Sequence, residues 1–418
     1  MRLQRIINLL VTSVSVVSVG IAGCNQRSVE VQTSRYREQT ATNQFNRAIA
    51  DVQALVKLGS RVAGTPVMDK ARTYLIEEYR LAGYETRTQT FTYPKFEDLG
   101  SNLTVAGEII NARALNGSVA GKLNTRLVAV PDIGQPQHFA AVDVKGAIAV
   151  VERGTIPFLQ KAQNAAAAGA VGLVIVNNEP GNLYGTLGGE VKIPVVSLSG
   201  EAGTSLFERP TQQATLNVNT RQRTVTGSNV IAALPGVTQP RIIVGAHYDS
   251  VAGSPGANDN ASGTAVVLNI ARNAATTPLG RQAWFVAFDG EEDGLHGSRA
   301  FVREAPAGFL QNLSAMLNFD MVGVNDQLLV GGSQALTKLA QASDSDVSTF
   351  GGQGGSDHAP FARAGVPILF FYRGQEPNYH TPNDKAVSAR LLDETVEIGL
   401  KVLNELTMNT QAKVDVEG

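Results

Sequence analysis

A chain of 418 residues exceeds the size at which one hydrophobic core is usual, and its 43% hydrophobic content can build two domains plus a targeting segment. Charged residues make up only 17% and nearly cancel at −2, leaving no surplus of either sign to hold nucleic acid or concentrate an anionic substrate. The single cysteine excludes an internal disulfide, so stability must come from burial and from any bound metal.

Arg2 and Arg5 give a basic start, Leu9 to Ile21 an apolar stretch too short to span a bilayer comfortably, and Ile21-Ala22-Gly23-Cys24 closes it. This segment resembles a bacterial lipoprotein signal. The resemblance implies removal of residues 1–23, a lipid on Cys24, and an exported chain anchored to a membrane. Residues 24–42 are polar and read as a tether.

Thr65-Pro66 followed by Met68, Ala71, Leu75, Ile76 and Tyr79 predicts an amphipathic helix, with Thr65 as its capping residue and Gly83 as its stop. Thr86 to Tyr93 alternates like a strand. From about Glu97 to Glu208, short β-type runs such as Leu127 to Val130 and Ala147 to Val151 alternate with glycine turns around one alanine-rich helix, Gln160 to Ala168. After Gly227 strands and helices alternate. Strands are predicted at Arg241 to Ala246, Ala283 to Phe288, Ala315 to Phe319 and Val366 to Tyr372, and helices at Ser262 to Ala274 and Ala389 to Leu406. The expected fold is α/β, a mixed, largely parallel sheet sandwiched by helices, with a small β-rich insert. The expected divisions are 43–96 and 223–415 for the main domain and 97–222 for the insert.

Ligands in such sheets gather beyond the carboxyl ends of the strands. Polar clusters of metal-ligand type stand there: Ala246-His247-Tyr248-Asp249-Ser250, Gly256-Ala257-Asn258-Asp259-Asn260, Gly290-Glu291-Glu292-Asp293, Asn318-Phe319-Asp320-Met321 and Tyr379-His380-Thr381-Pro382-Asn383-Asp384. Singly each has a plain reading: His247 a hydrogen-bonded histidine, Glu291-Glu292 a solvated turn, Asp259 a helix cap. Together they suit zinc, which takes nitrogen and oxygen donors. His247, Asp259, Glu292, Asp320 and His380 are too many for one catalytic ion with an open position, but they fit two if one carboxylate bridges. Asp249, two residues after His247, can accept the second imidazole N–H. Of the pair Glu291-Glu292, one can ligate while the other takes a proton from the attacking water.

In order, these segments resemble the co-catalytic di-zinc aminopeptidase family, to which secreted bacterial leucyl aminopeptidases and glutamate carboxypeptidase are related. The resemblance implies hydrolysis of N-terminal residues from peptides with two Zn2+. His247 and Asp320 would hold one ion, Glu292 and His380 the other, and Asp259 both. Glu291 would be the general base and Asp249 would orient His247. It also implies a cis peptide bond at Asp259-Asn260, and it brings Ser356-Asp357-His358 close to the metals, so that Asp357, His358 and Tyr379 are candidates for shaping the substrate pocket. Ser356-Asp357-His358 lacks a nucleophile elbow and is not expected to act as a triad. His296, in Gly294-Leu295-His296-Gly297, is expected to be structural or exposed.

The insert resembles a protease-associated domain through Val144-Lys145-Gly146-Ala147-Ile148, Val151-Glu152-Arg153-Gly154-Thr155-Ile156-Pro157-Phe158, Ala166-Ala167-Ala168-Gly169 and Ile193-Pro194-Val195-Val196-Ser197. Ile156 stands where many relatives have a cysteine. Alternatives on the same fold are glutaminyl cyclisation, carboxypeptidase action, or a binding protein without activity. Known cyclases carry a long insertion after the Glu-Glu pair, where this chain has only Asp293 to Gly297, and the intact ligand set argues against an inactive protein.

Overall fold

The computed structural model describes residues 47–417 apart from 180, 209–210 and 352–354. The expected signal, Cys24 and the tether lie outside the described residues.

Two helices open the described chain. In helix 47–57, Ala48, Val52 and Leu55 are buried; in Pro66–Leu81, Met68, Ala71, Leu75 and Tyr79 are. The expected cap is corrected at its side chain: Thr65 occupies the N-cap position, but its hydroxyl donates to the Val62 carbonyl at 2.7 Å instead of accepting from the helix. Gly83 follows the helix at φ 95°, a conformation that suits glycine.

Strand β1 (Glu85–Asp98) then enters an eight-stranded sheet and leads out of it again into the insert. It runs past the expected Tyr93 and through Pro94, which is tolerated because β1 is the sheet edge, where a missing N–H breaks no ladder. The insert closes seven strands into a barrel: β2 (Ser101–Val105), β3 (Glu108–Ala114), β4 (Gly121–Ala129), β5 (Ile148–Glu152), β6 (Gly172–Val176), β7 (Val195–Leu198) and β8 (Thr211–Val218). Its alanine-rich helix is Phe158–Ala167, packed through Ala162 and Ala165. β9 (Thr220–Ala233) returns antiparallel to β1, paired with it from Glu85↔Ala233 to Asp98↔Thr220.

The sheet continues with β10 (Ile242–His247), β11 (Ala283–Phe288), β12 (Ala315–Phe319), β13 (Leu329–Gly332), β14 (Ser348–Thr349) and β15 (Ile368–Tyr372), in the order β1-β9-β11-β10-β12-β15-β13-β14. β11, β10, β12 and β15 are mutually parallel. β10, β11 and β12 are buried at every position, because helices cover both faces. One face packs on Gly263–Ala274, Ala389–Glu417 and the first two helices; the other packs on His296–Glu304 and His358–Arg363 through Phe301 and Phe361. The last helix continues past the expected Leu406 to Glu417. Among the described residues no helix is long and apolar enough to cross a membrane.

Candidate metal centre

Three parallel strands deliver the first ligand-type residues. β10 ends on His247, opposite Phe288 of β11, and the register Gly245↔Asn318 between β10 and β12, carried forward, sets His247 level with Asp320. Beyond β11 the chain turns at Gly290, φ 70°, where a side chain would come within 3.0 Å of the Tyr93 hydroxyl; Glu291 and Glu292 follow at once. The helix Gly263–Ala274 begins so close to β12 that a Cβ on Gly263 would lie 2.2 Å from the Phe319 carbonyl oxygen. That close approach brings the preceding segment, with Asp259, over the strand ends.

Asp259 does not cap this helix. The Gly263 N–H donates to Asn260 Oδ1 at 2.8 Å, and Asn260 Nδ2 donates to the Phe319 carbonyl at 2.9 Å, tying the Asp259 segment to the end of β12. The Asp259-Asn260 peptide bond is cis. The Asp259 carboxylate faces two histidines, its Oδ1 3.3 Å from His247 Nε2 and its Oδ2 3.1 Å from His380 Nε2.

Two donor groups result: His247 with Asp259 and Asp320, and Asp259 with Glu292 and His380. His247 Nε2 lies 3.4 Å from Asp320 Oδ1, and His380 Nε2 lies 3.0 Å from Glu292 Oε2. Tetrahedral zinc, with bonds of about 2.0–2.2 Å, holds its donors roughly 3.3–3.6 Å apart, close to these separations. His380 Nε2, Glu292 Oε1 and Asp320 Oδ1 are buried without a hydrogen-bond partner, as expected of atoms aimed at a common centre and not at each other. The donor set therefore fits two divalent ions.

Electrostatics agree. Burial and Asp259 push Glu292 up to about 8. Burial also raises Glu291 far above the carboxylate range, with Asp357, Asp320 and Glu292 adding and His247 opposing. Burial opposes the charging of His380, yet Asp259 and Glu292 hold it up at about 10. Buried acids outnumber their counter-charges, which favours uptake of cations.

Glu291 stands apart from both groups, its Oε2 4.0 Å from His247 Nε2. Asp249 Oδ1 approaches His247 Nδ1 to 3.4 Å, but that nitrogen has no aligned hydrogen bond; the Asp249 carboxylate instead accepts the backbone N–H groups of Glu291 at 3.3 Å and Glu292 at 3.1 Å. Tyr379 stacks on the His380 ring at 3.8 Å. Asp357 is fully buried, close enough to raise the proton affinity of Glu291. Ser356, Asp357 and His358 form no triad: Ser356 Oγ accepts from Asn318 at 2.8 Å, and His358, lowered to about 4 by burial, stacks on Phe370 at 4.4 Å. Phe350, Phe370 and Tyr372 continue that aromatic group, and burial, with Asp320 and Asp259 adding, raises the Tyr372 phenol. His296 lies flat on Tyr93 at 3.9 Å and belongs to neither donor group.

Sequence reasoning missed Arg61. Its side chain is wholly buried and donates to the carbonyls of Tyr248 at 2.8 Å, Gly256 at 2.9 Å and Pro255, fastening the His247 and Asp259 segments together. Its partners are backbone carbonyls, which carry no residue signature. Asp384 was also missed, although it stands in the quoted segment after His380.

Comparison with known proteins follows the same division of the chain. Residues 229–402 match peptidase family M28, and residues 111–206 match the PA domain. Aminopeptidase YwaD of Bacillus subtilis is 34% identical over 359 residues, covering 78% of this chain and 76% of that protein. The probable lipoprotein aminopeptidase LpqL of Mycobacterium tuberculosis is 33% identical, covering 68% of this chain and 60% of its own length. The crystal structure of BSAP, a zinc aminopeptidase from Bacillus subtilis, superposes with a TM-score of 0.74 at 31% identity, covering 86% of this chain and 95% of that one.

Proposed function

The chain belongs to peptidase family M28 and carries an inserted PA domain, and from that membership we propose a zinc aminopeptidase that removes N-terminal residues from peptides. His247, Asp259 and Asp320 would hold one zinc; Asp259, Glu292 and His380 would hold a second. The observation that carries this reading is that the two oxygens of Asp259 face different histidines. Zinc is named because BSAP is described as a zinc aminopeptidase and the donors are imidazole and carboxylate. When bound, such a pair of ions supplies positive charge that polarises the scissile carbonyl and acidifies water.

The chain's own residues do the rest. Glu291, outside both donor groups, takes the proton of the attacking water and returns it to the departing amine. Asp249 fixes the backbone of Glu291 and Glu292 and stands behind the His247 ring. The wall of Phe350, Phe370 and Tyr372 offers an apolar surface to the residue being removed.

Zinc analysis and kinetics test the reading together. Glu291→Gln keeps about two zincs per chain while kcat on leucyl anilide falls by about 10²–10⁴-fold; full activity in that variant overturns the role of Glu291. Hydrolysis of the free anilide but not of its N-acetyl derivative separates an aminopeptidase from a carboxypeptidase. A cyclase would instead hold one zinc and convert glutaminyl peptides.

For location, the start of the chain and the lipoprotein in the LpqL name support export and a lipid on Cys24. Cys24→Ser then moves the protein from the detergent phase to the aqueous phase; unchanged partition refutes the anchor.

A further inference from the structure

A cavity of about 360 Å³ joins the metal centre to the inserted barrel, with Glu292 and Asp293 on one side and Arg113 and Tyr184 of the barrel on the other. Its ionic groups are almost all satisfied. Asp98 accepts from Ala114 N at 2.7 Å, Ser101 Oγ at 2.8 Å and Gly100 N at 3.1 Å, while Asp293 is held by Lys95 at 2.8 Å and the Tyr93 hydroxyl at 2.6 Å. Glu292 is turned to His380. Arg113 is the exception: its guanidinium lies 4.5 Å from the centre of the Tyr184 ring and has no carboxylate partner among the described residues.

The pair is built, although exposed. Tyr184 is 59% exposed, yet it lies between the buried residues Leu183 and Leu187, and the loop is fastened to the strand end by Asn116 N donating to Gly185 O at 3.0 Å and Leu187 N donating to Asn116 O at 2.9 Å. A large aromatic side chain is thus held in water, its face against a cation, in a cavity that Glu292 also lines. Phe350, Phe370 and Tyr372 form a separate aromatic group, and the Tyr372 phenol feels the charge of Asp320. Because Glu292 lines the same cavity, a peptide held at the donor groups has Arg113 and Tyr184 within reach of its chain.

We infer that Arg113 and Tyr184 form a recognition site on the leaving-group side of the substrate, where Arg113 takes a carboxylate and the Tyr184 ring covers the adjoining chain. The substrate class is short peptides with a carboxylate a residue or two beyond the scissile bond. That carboxylate is either the free C-terminus of a tripeptide or an acidic side chain. The inference rests on the aminopeptidase reading above and adds a specificity that the metal centre alone lacks.

Four peptides test it: Leu-Gly-Gly against its C-terminal amide, and Leu-Gly-Glu-amide against Leu-Gly-Gln-amide. In the native protein kcat/KM favours the acidic member of at least one pair by about fivefold, the strength of a solvent-exposed ion pair, and mainly through KM. Arg113→Ala brings that ratio to about one, and Arg113→Lys keeps most of it. A response in the first pair only identifies the chain terminus, and in the second only an acidic residue; both support the site. A native protein indifferent to both pairs overturns the inference while leaving the peptidase intact, as does an Arg113→Ala variant that keeps the native ratio. Failure to cleave any of the four overturns the aminopeptidase reading itself and this inference with it.

Discussion

Asp384 accepts the backbone N–H of Asp259 at 3.0 Å through one oxygen and that of Asn258 at 2.7 Å through the other. The residue common to both donor groups is thus held from behind by the segment that carries His380. Neither the strands nor the helix alone fixes Asp259; a contact between residues 125 positions apart does.

Asp384→Ala removes both acceptors and lets the Asp259 segment relax. Zinc affinity is expected to fall by about 10–100-fold, as for other residues that orient metal ligands. Competition with a zinc-sensitive dye measures this, and circular dichroism checks that the fold persists. Unchanged affinity removes Asp384 from the account.

Asp259→Ala should abolish the stabilisation that metal confers. Ions that bind only the folded chain add about 2.7 kcal/mol when present at 100 times their Kd. The native protein should therefore melt at a lower temperature after chelation, and the variant at one temperature with or without zinc. A full zinc-dependent gain in Asp259→Ala refutes the shared ligand.

Arg61→Met keeps much of the volume but withdraws the donors from three carbonyls, two of them buried. Hydrogen bonds from a charged donor contribute about 1.5–3 kcal/mol each, so a loss of roughly 3 kcal/mol or more is expected. Calorimetry should record a fall in Tm of several degrees. A Tm within a degree of the native value contradicts the bracing role.

Asp393, in the last helix, is pushed up to about 6 by burial, with Glu397 and Glu394 adding. Between about pH 4 and pH 6 the folded chain keeps a proton that the unfolded chain has released, so stability from this group falls as pH rises through that window. Asp393→Asn should raise Tm at pH 7 to 8 and make no difference near pH 4. A gain of equal size at both pH values points to another cause.

The central strands were legible nearly residue by residue. Ala283–Phe288 and Ala315–Phe319 are continuous apolar runs because both their faces are covered. β9 was not legible: its Thr220 to Thr226 half is polar and partly solvated, and only Gly227 onward reads as buried strand. β13 and β14, of four and two residues, are too short to show a period. The grouping of His247, Asp259, Glu292, Asp320 and His380 was visible because histidines and carboxylates of metal-ligand type stand out at the ends of apolar strands. Arg61 was not, since its targets are carbonyls that every residue has, and Arg113 with Tyr184 was not, since only tertiary folding brings the end of β3 against the loop that carries Tyr184.

The pairing of β1 with β9 has a consequence for how such a chain can change over generations. Asp98 and Thr220 stand side by side at the end of that ladder, so everything from 99 to 219 leaves and re-enters the sheet at one point. A two-residue turn is enough to join antiparallel strands that end in register. The barrel is accordingly a cassette clipped to the tip of a hairpin. It could be gained, lost or exchanged without rethreading the sheet, while the wall it presents to the metal centre is rewritten in a single step.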